Sequence, residues 1–185
     1  MTTALLVIDL QEAMRDTRDA GNPWANPGAV EAAAQVLAGF RATGLAVVHV
    51  HHHGLDPADE FHPDNPFSAA MPEVAPRPGE AVVIKHGSSG FIGTGLEALL
   101  REAGHDRLVV VGGEANMCVE STTRMVGNLG FQTLVVADAL VNFGRLARDG
   151  REISTEAVLD MTLSNLRSFA RIVESGEVMA MVSPA

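Results

Sequence analysis

Three side chains of this sequence have types and positions that together could carry out covalent catalysis: Asp9, Lys85 and Cys118. Asp9 closes the apolar run Ala4–Asp9 (ALLVID), and Lys85 closes Glu80–Lys85 (EAVVIK). Cys118, the chain's single cysteine, follows the run Arg107–Gly112 (RLVVVG) after Gly113-Glu114-Ala115-Asn116-Met117. A carboxylate or an ammonium at the end of an apolar strand is costly unless paired or hydrogen-bonded, and pairing the two answers both costs. A thiol next to an ammonium and at a helix N-terminus is drawn toward the thiolate. A carboxylate alongside can accept the thiol proton and later return it to a leaving amine. Backbone N–H groups of a Gly-rich turn can hold a developing oxyanion. Each residue alone has an ordinary reading, since a lone cysteine is often a small buried hydrophobe and a strand-end Asp or Lys is often a structural ion pair. The combination is what points to a nucleophile with its base and its electrostatic partner.

The elements that would position these groups follow from the hydrophobic pattern. Strands are expected at Ala4–Asp9, Leu45–His51, Glu80–Lys85, Arg107–Gly112 and Phe131–Asp138, with a short sixth at Ala170–Glu174. Helices are expected at Pro27–Thr43, Thr94–Glu102, Met117–Leu129 and Ser154–Ala170, with Gly44, Gly104 and Gly130 as stop signals and Ser154 as N-cap. The strand runs are continuous rather than alternating, as in strands covered on both faces. The fold class is therefore α/β: an open, doubly wound, mostly parallel sheet of five to six strands with helices on both faces. Sites of such sheets lie at the carboxyl ends of the strands, which brings Asp9, Lys85 and Cys118 to one edge. Gly54–Gly79 is long, Pro-rich and irregular, as expected of a lid or pocket wall.

The chain has 185 residues, which suits one domain, here 1–185, with one full-sized core. A net charge of −10 argues against nucleic acid or an anionic membrane surface as partner. No apolar run approaches the roughly 18 residues of a membrane span, and Met1–Leu10 lacks a basic n-region, so a cytoplasmic location is expected. One cysteine permits neither an internal disulfide nor a multi-cysteine zinc site. No Gly-rich phosphate loop follows the first strand, which continues Leu10-Gln11-Glu12-Ala13-Met14 and so reads poorly as a nucleotide-binding domain.

The segments VIDLQ around Asp9, VIK around Lys85, GGEANMCVESTTR (Gly112 to Arg124) and GFQTLVVADA (Gly130 to Ala139) resemble the isochorismatase-like cysteine hydrolases, in order and over nearly the whole chain. The resemblance implies a three-layer Rossmann-like sandwich, a catalytic triad of Asp9, Lys85 and Cys118 and a covalent thioester-type intermediate that water hydrolyses. It implies a cis Gly113–Glu114 peptide, with the backbone N–H groups of Glu114 and Cys118 as the oxyanion hole. It also implies a small-molecule substrate and a homodimer or homotetramer. Ala115 stands where many members carry Thr, and Met14 where nicotinamidase-type members carry an aromatic residue. His51-His52-His53-Gly54 stands where those members carry an Asp-x-His metal pair, so nicotinamidase activity is not expected. The vinyl-ether-cleaving subgroup lacks the cysteine, so Cys118 favours amide or carbamoyl C–N cleavage. Vinyl ether hydrolysis through Asp9 and a redox-active thiol in a binding protein are the alternatives.

Around this core, Gln11 is expected to orient Asp9 or touch substrate, and Phe91, Trp24 and Phe67 to line the pocket. Glu114 would select a cationic substrate or meet another subunit. Alternation puts His49, His51 and His53 on one strand face, beside His52. With few carboxylate partners nearby they are expected to line the pocket wall or a subunit contact, and no metal or other cofactor is expected.

Overall fold

The computed structural model describes residues 2–182, so Met1 and residues 183–185 of the expected domain lie outside the described residues. In chain order the elements are β1 (Thr2–Ile8), α1 (Glu12–Asp19), α2 (Ala29–Ala42), β2 (Ala46–His52), β3 (Ala81–Lys85), α3 (Leu96–Glu102) and β4 (His105–Gly113). A wide helical turn, Ala115–Val119, then runs into α4 (Glu120–Asn128), followed by β5 (Gln132–Val141), β6 (Arg145–Leu146), β7 (Glu152–Ile153), α5 (Thr155–Leu166), β8 (Arg171–Val173) and α6 (Ser175–Val182).

Six strands form one sheet in the order β3-β2-β1-β4-β5-β8, parallel throughout. On one face, Leu5, Val7, Val109, Val111 and Val136 pack against Val36 and Phe40 of α2 and Val178 of α6. On the other, Ala4, Leu6, Ile8, Val48, Val110 and Val135 pack against Leu96 and Leu100 of α3, Val126 of α4 and Leu159 of α5. This is the three-layer α/β sandwich that the unbroken apolar strands imply, because helices on both faces leave the central strands no solvated side.

The structure adds four elements to that expectation. Helix α1 (EAMRDTRD) buries only Ala13 and Met14, too narrow a stripe to show as an apolar period. Strands β6 and β7 are two residues each and form a separate antiparallel ribbon. Helix α6 docks on α2 and buries only Val178 and Val182 in a short segment. Helix α5 ends at Leu166 rather than Ala170, while Ser154 caps its start by accepting from the Ala157 N–H. Among the described residues no helix is long and apolar enough to cross a membrane.

Two anchors shape the catalytic edge. The Gly54–Gly79 segment folds back as a flap: the Met71 N–H donates to the Leu10 carbonyl at 2.9 Å, and the Glu12 N–H to the Ala69 carbonyl at 2.9 Å. Met71 itself is fully buried. The second anchor is Gly112, where β4 crosses β1 with φ +133°; a Cβ there would lie 2.0 Å from the Ile8 carbonyl oxygen. Both the left-handed backbone and the close approach demand glycine. Gly112→Ala is expected to cost about 3 kcal/mol or more, combining backbone strain with the forced separation of β1 and β4. Thermal denaturation checks this: a melting temperature within a degree or two of the parent would contradict the stated role of the glycine.

Candidate active site

Asp9 directly follows β1 and still donates its N–H to the Val50 carbonyl of β2 at 2.8 Å, but its φ of 50° turns the chain out of the sheet. Aspartate tolerates this left-handed conformation better than most residues. Lys85 ends β3 on the face shared with Val83, and its register partner on β2 is His52. Cys118 sits on the wide turn between β4 and α4.

The three side chains meet at the Lys85 ammonium. Nζ lies 2.6 Å from Asp9 Oδ2, 3.2 Å from Cys118 Sγ, 3.1 Å from the Gly87 carbonyl and 3.4 Å from His52 Nδ1. Lys85 is 0% and Asp9 1% exposed, so the ion pair is enclosed. Besides Lys85, the Cys118 thiol and the His52 backbone N–H lie beside the Asp9 carboxylate and favour its charged form. Burial raises the Asp9 pKa to about 6 against the opposing pull of Lys85. Burial, reinforced by the Asp9 charge, pushes the Cys118 thiol up to about 12, although Lys85 acts the other way. The sequence implied a lowered thiol pKa, and the enclosed site reverses that: withdrawing the sulfur from water outweighs one ammonium already committed to a carboxylate. At rest the group is a thiol beside a carboxylate, poised for the proton to move only as a bond forms at sulfur.

The turn before the nucleophile is set by its backbone. The Gly113–Glu114 peptide is cis. The Glu114 carbonyl accepts the Met117 and Val119 N–H groups, both at 3.1 Å, and the Cys118 N–H between them is not one of its donors. The Glu114 N–H belongs to the cis peptide itself, and the Cys118 N–H to the turn that follows it.

Several sequence expectations need correcting. Gln11 is not directed at substrate: its side chain accepts from the His52 N–H (2.8 Å) and donates to the His52 and Ser68 carbonyls (3.0 and 2.6 Å). Buried with every bond on backbone, it ties the flap to the end of β2. Phe91 lies against Phe131, the residue preceding β5, with ring centroids 6.4 Å apart, and so packs among the helices rather than at the strand ends. Trp24 is buried under the Arg18 guanidinium, 4.5 Å from its ring, and its indole N–H is unpartnered. Phe67 is half-exposed on the flap.

The histidines divide by strand face. His49 points into the α2 layer, where Nε2 lies 2.9 Å from Glu80 Oε2, and Glu80 also pairs with Arg41 through two bonds of 2.7 and 2.8 Å. His51 sits beside His49, ring centroids 6.1 Å apart. This row lies away from the reacting groups, whereas His52 reaches Lys85 and stacks edgewise on Phe61. The alternation that grouped His49, His51 and His53 already placed His52 on the Lys85 face, and the parallel register would have matched the two. Among the described residues no three His, Cys, Asp or Glu side chains converge as a metal site would require.

A family model described as the isochorismatase domain matches residues 3–163. A solved isochorismatase-family structure from Chromobacterium violaceum is 40% identical, with a TM-score of 0.94 over 98% of this chain and 93% of that one. The ureidoacrylate amidohydrolase RutB of Methylorubrum extorquens is 31% identical over 172 residues, 75% of this chain and 69% of its own. The N-carbamoylsarcosine amidase of Thermoplasma acidophilum superposes with a TM-score of 0.73 at 26% identity, covering 95% of this chain and 97% of that one.

The histidine row also sets a stability prediction. Burial, with the charges of His49 and His53, lowers the His51 pKa to about 4, below the 6.5 of an unfolded chain. The unfolded state therefore binds the extra proton first, and stability falls as pH drops from 6.5 toward 4, by about 3 kcal/mol in all. Urea denaturation at pH 7 and pH 4 should register that loss, and His51→Gln should remove most of it; an unchanged difference in the variant would contradict the assignment.

Proposed function

Since the chain belongs to the isochorismatase family of hydrolases, we propose that it is a cysteine hydrolase that cleaves a C–N bond of a small amide, ureido or carbamoyl compound. The observation that carries this reading is the Lys85 ammonium, within 2.6 Å of Asp9 Oδ2 and 3.2 Å of Cys118 Sγ in an enclosed site. That arrangement gives a nucleophile, a base and a fixed positive charge within one hydrogen-bond radius.

The reaction follows from the protonation states. Cys118 Sγ attacks the substrate carbonyl carbon while its proton passes to the Asp9 carboxylate. Lys85 stabilises the negative charge that forms on sulfur and carboxylate in turn, in a site where water does not screen it. The carbonyl oxygen becomes an oxyanion received by the Glu114 and Cys118 N–H groups. Asp9, now protonated, delivers the proton to the leaving nitrogen as the C–N bond breaks, and a thioester remains on Cys118. Water, losing its proton to Asp9, then attacks the thioester and releases the acid and the thiol. Two amidohydrolases among the similar proteins, acting on ureidoacrylate and N-carbamoylsarcosine, support a carbonyl bonded to nitrogen as the target.

Small-molecule turnover would be carried out by a homodimer or homotetramer. That assembly is supported by the edge strand β3, which exposes Val82 and Ile84 where a second copy would cover them.

Ammonia or amine release over a panel of simple amides, ureido acids and N-carbamoyl amino acids tests the proposal. Turnover of at least one member is expected, with Cys118→Ala slower by a thousandfold or more and a Cys118 acyl adduct visible by mass in the parent. Turnover undiminished in Cys118→Ala would overturn the nucleophile. Because Asp9 must start as carboxylate, kcat/KM should fall below pH 6, the value to which burial raises its pKa. A profile flat down to pH 5 would remove Asp9 as the base.

A further inference from the structure

Glu114 lends its backbone N–H to the turn at the sulfur, but its side chain has a separate engagement. The Glu114 carboxylate forms an ion pair with the Arg145 guanidinium, at side-chain exposures of 24% and 35%. Arg145 opens the β6–β7 ribbon, and its Nη1 also donates to the Gly144 carbonyl at 3.2 Å. The two residues leave paired strands side by side, because Gly113 of β4 is in register with Val141 of β5. Asn142, the next residue, is buried and donates to the Thr155 carbonyl, which ties the base of the ribbon to the start of α5. The ribbon is thus fixed to α5 at its base and to the nucleophile's turn by a single ion pair. Beside it, a cleft of about 790 Å³ runs between Gly21–Pro23, Gly144–Leu146 and Glu152–Glu156.

We propose that Arg145 is a positioning residue: its ion pair with Glu114 braces the oxyanion-binding turn against the β6–β7 ribbon. The inference rests on the cysteine hydrolase reading. It also settles the use of Glu114, whose charge is neutralised by Arg145 and is not free to select a cationic substrate. The brace does not touch the sulfur. It holds the Glu114 peptide, whose N–H must meet an oxygen that carries negative charge only after attack. A small displacement there weakens oxyanion binding while leaving the thiol, Asp9 and Lys85 unaltered.

Two reagents separate these effects without knowledge of the substrate. Iodoacetamide alkylates Cys118 by forming an S–C bond as iodide leaves, and no oxyanion arises. Propionaldehyde adds the thiol across its C=O to give a hemithioacetal, whose oxygen occupies the oxyanion position and which shields the sulfur from alkylation. In Arg145→Gln the alkylation rate should stay within twofold of the parent, while the propionaldehyde concentration needed for half-protection rises about tenfold. Arg145→Lys, which keeps the charge, should recover part of that loss, and the exchanged pair Glu114→Arg with Arg145→Glu most of it. Unchanged protection in Arg145→Gln, or alkylation and protection falling together, would overturn the brace. Parent protein that iodoacetamide fails to label at Cys118, while the denatured chain labels normally, would instead remove the nucleophile reading and the brace with it.

Discussion

The buried pair between Asp9 and Lys85 is the constraint on which this catalytic edge depends. Removing a carboxylate and an ammonium from water costs several kcal/mol for each ion, and their attraction offsets that only at close range and with the remaining valences used. Here the pair is at 2.6 Å, and the ammonium also reaches the Gly87 carbonyl, His52 and the Cys118 sulfur. The sheet exists in the register that makes this meeting possible. β1 and β3 flank β2, so their carboxyl ends bring Asp9 and Lys85 together over His52, and β4 on the other side of β1 supplies the turn bearing Cys118. Removing either ion alone would strand its partner's charge in the interior, so the site and the fold share one electrostatic condition.

The same burial decides how the thiol is stored. An exposed thiolate beside a lysine would be reactive toward any electrophile or oxidant. In this enclosure the sulfur keeps its proton, with its pKa up to about 12, and Asp9 remains the carboxylate at neutral pH. Nucleophilicity is therefore generated during attack, as the thiol proton passes to Asp9 and the new bond forms at sulfur. The environment that disfavours the resting thiolate is the one in which fixed dipoles and the ammonium act most strongly on the transition state.

Around this centre, polar side chains that resemble substrate contacts serve as structural ties. Gln11 spends its amide on the β2 end and the flap, and Glu80 gathers Arg41, His49 and the Arg77 N–H at the opposite end of the same strand pair. Arg41 and the Arg77 N–H hold the Glu80 carboxyl down at about 2, so this tie stays ionised through the pH range in which the histidine row begins to charge. Buried polar groups bonded to backbone or to one another make loops single-valued, which a site formed at loop ends requires.

The sequence by itself determined the residue types at the strand ends, the unbroken apolar runs that call for a parallel sheet covered on both faces, and the Gly-Gly step before the nucleophile. These are local signals: period, strand termination and backbone freedom are written within a few residues. What only the tertiary structure decided is which partner each polar side chain takes. His52 rather than His49, His51 or His53 reaches Lys85, because register across β2 and β3 chooses the face. Gln11 binds the flap, Phe91 turns to Phe131, and Glu114 meets Arg145, each through a neighbour tens of residues away. The protonation of Cys118 belongs to the same class: a helix start and a lysine are visible in sequence, but the loss of water that outweighs them exists only when three strand ends close over one sulfur.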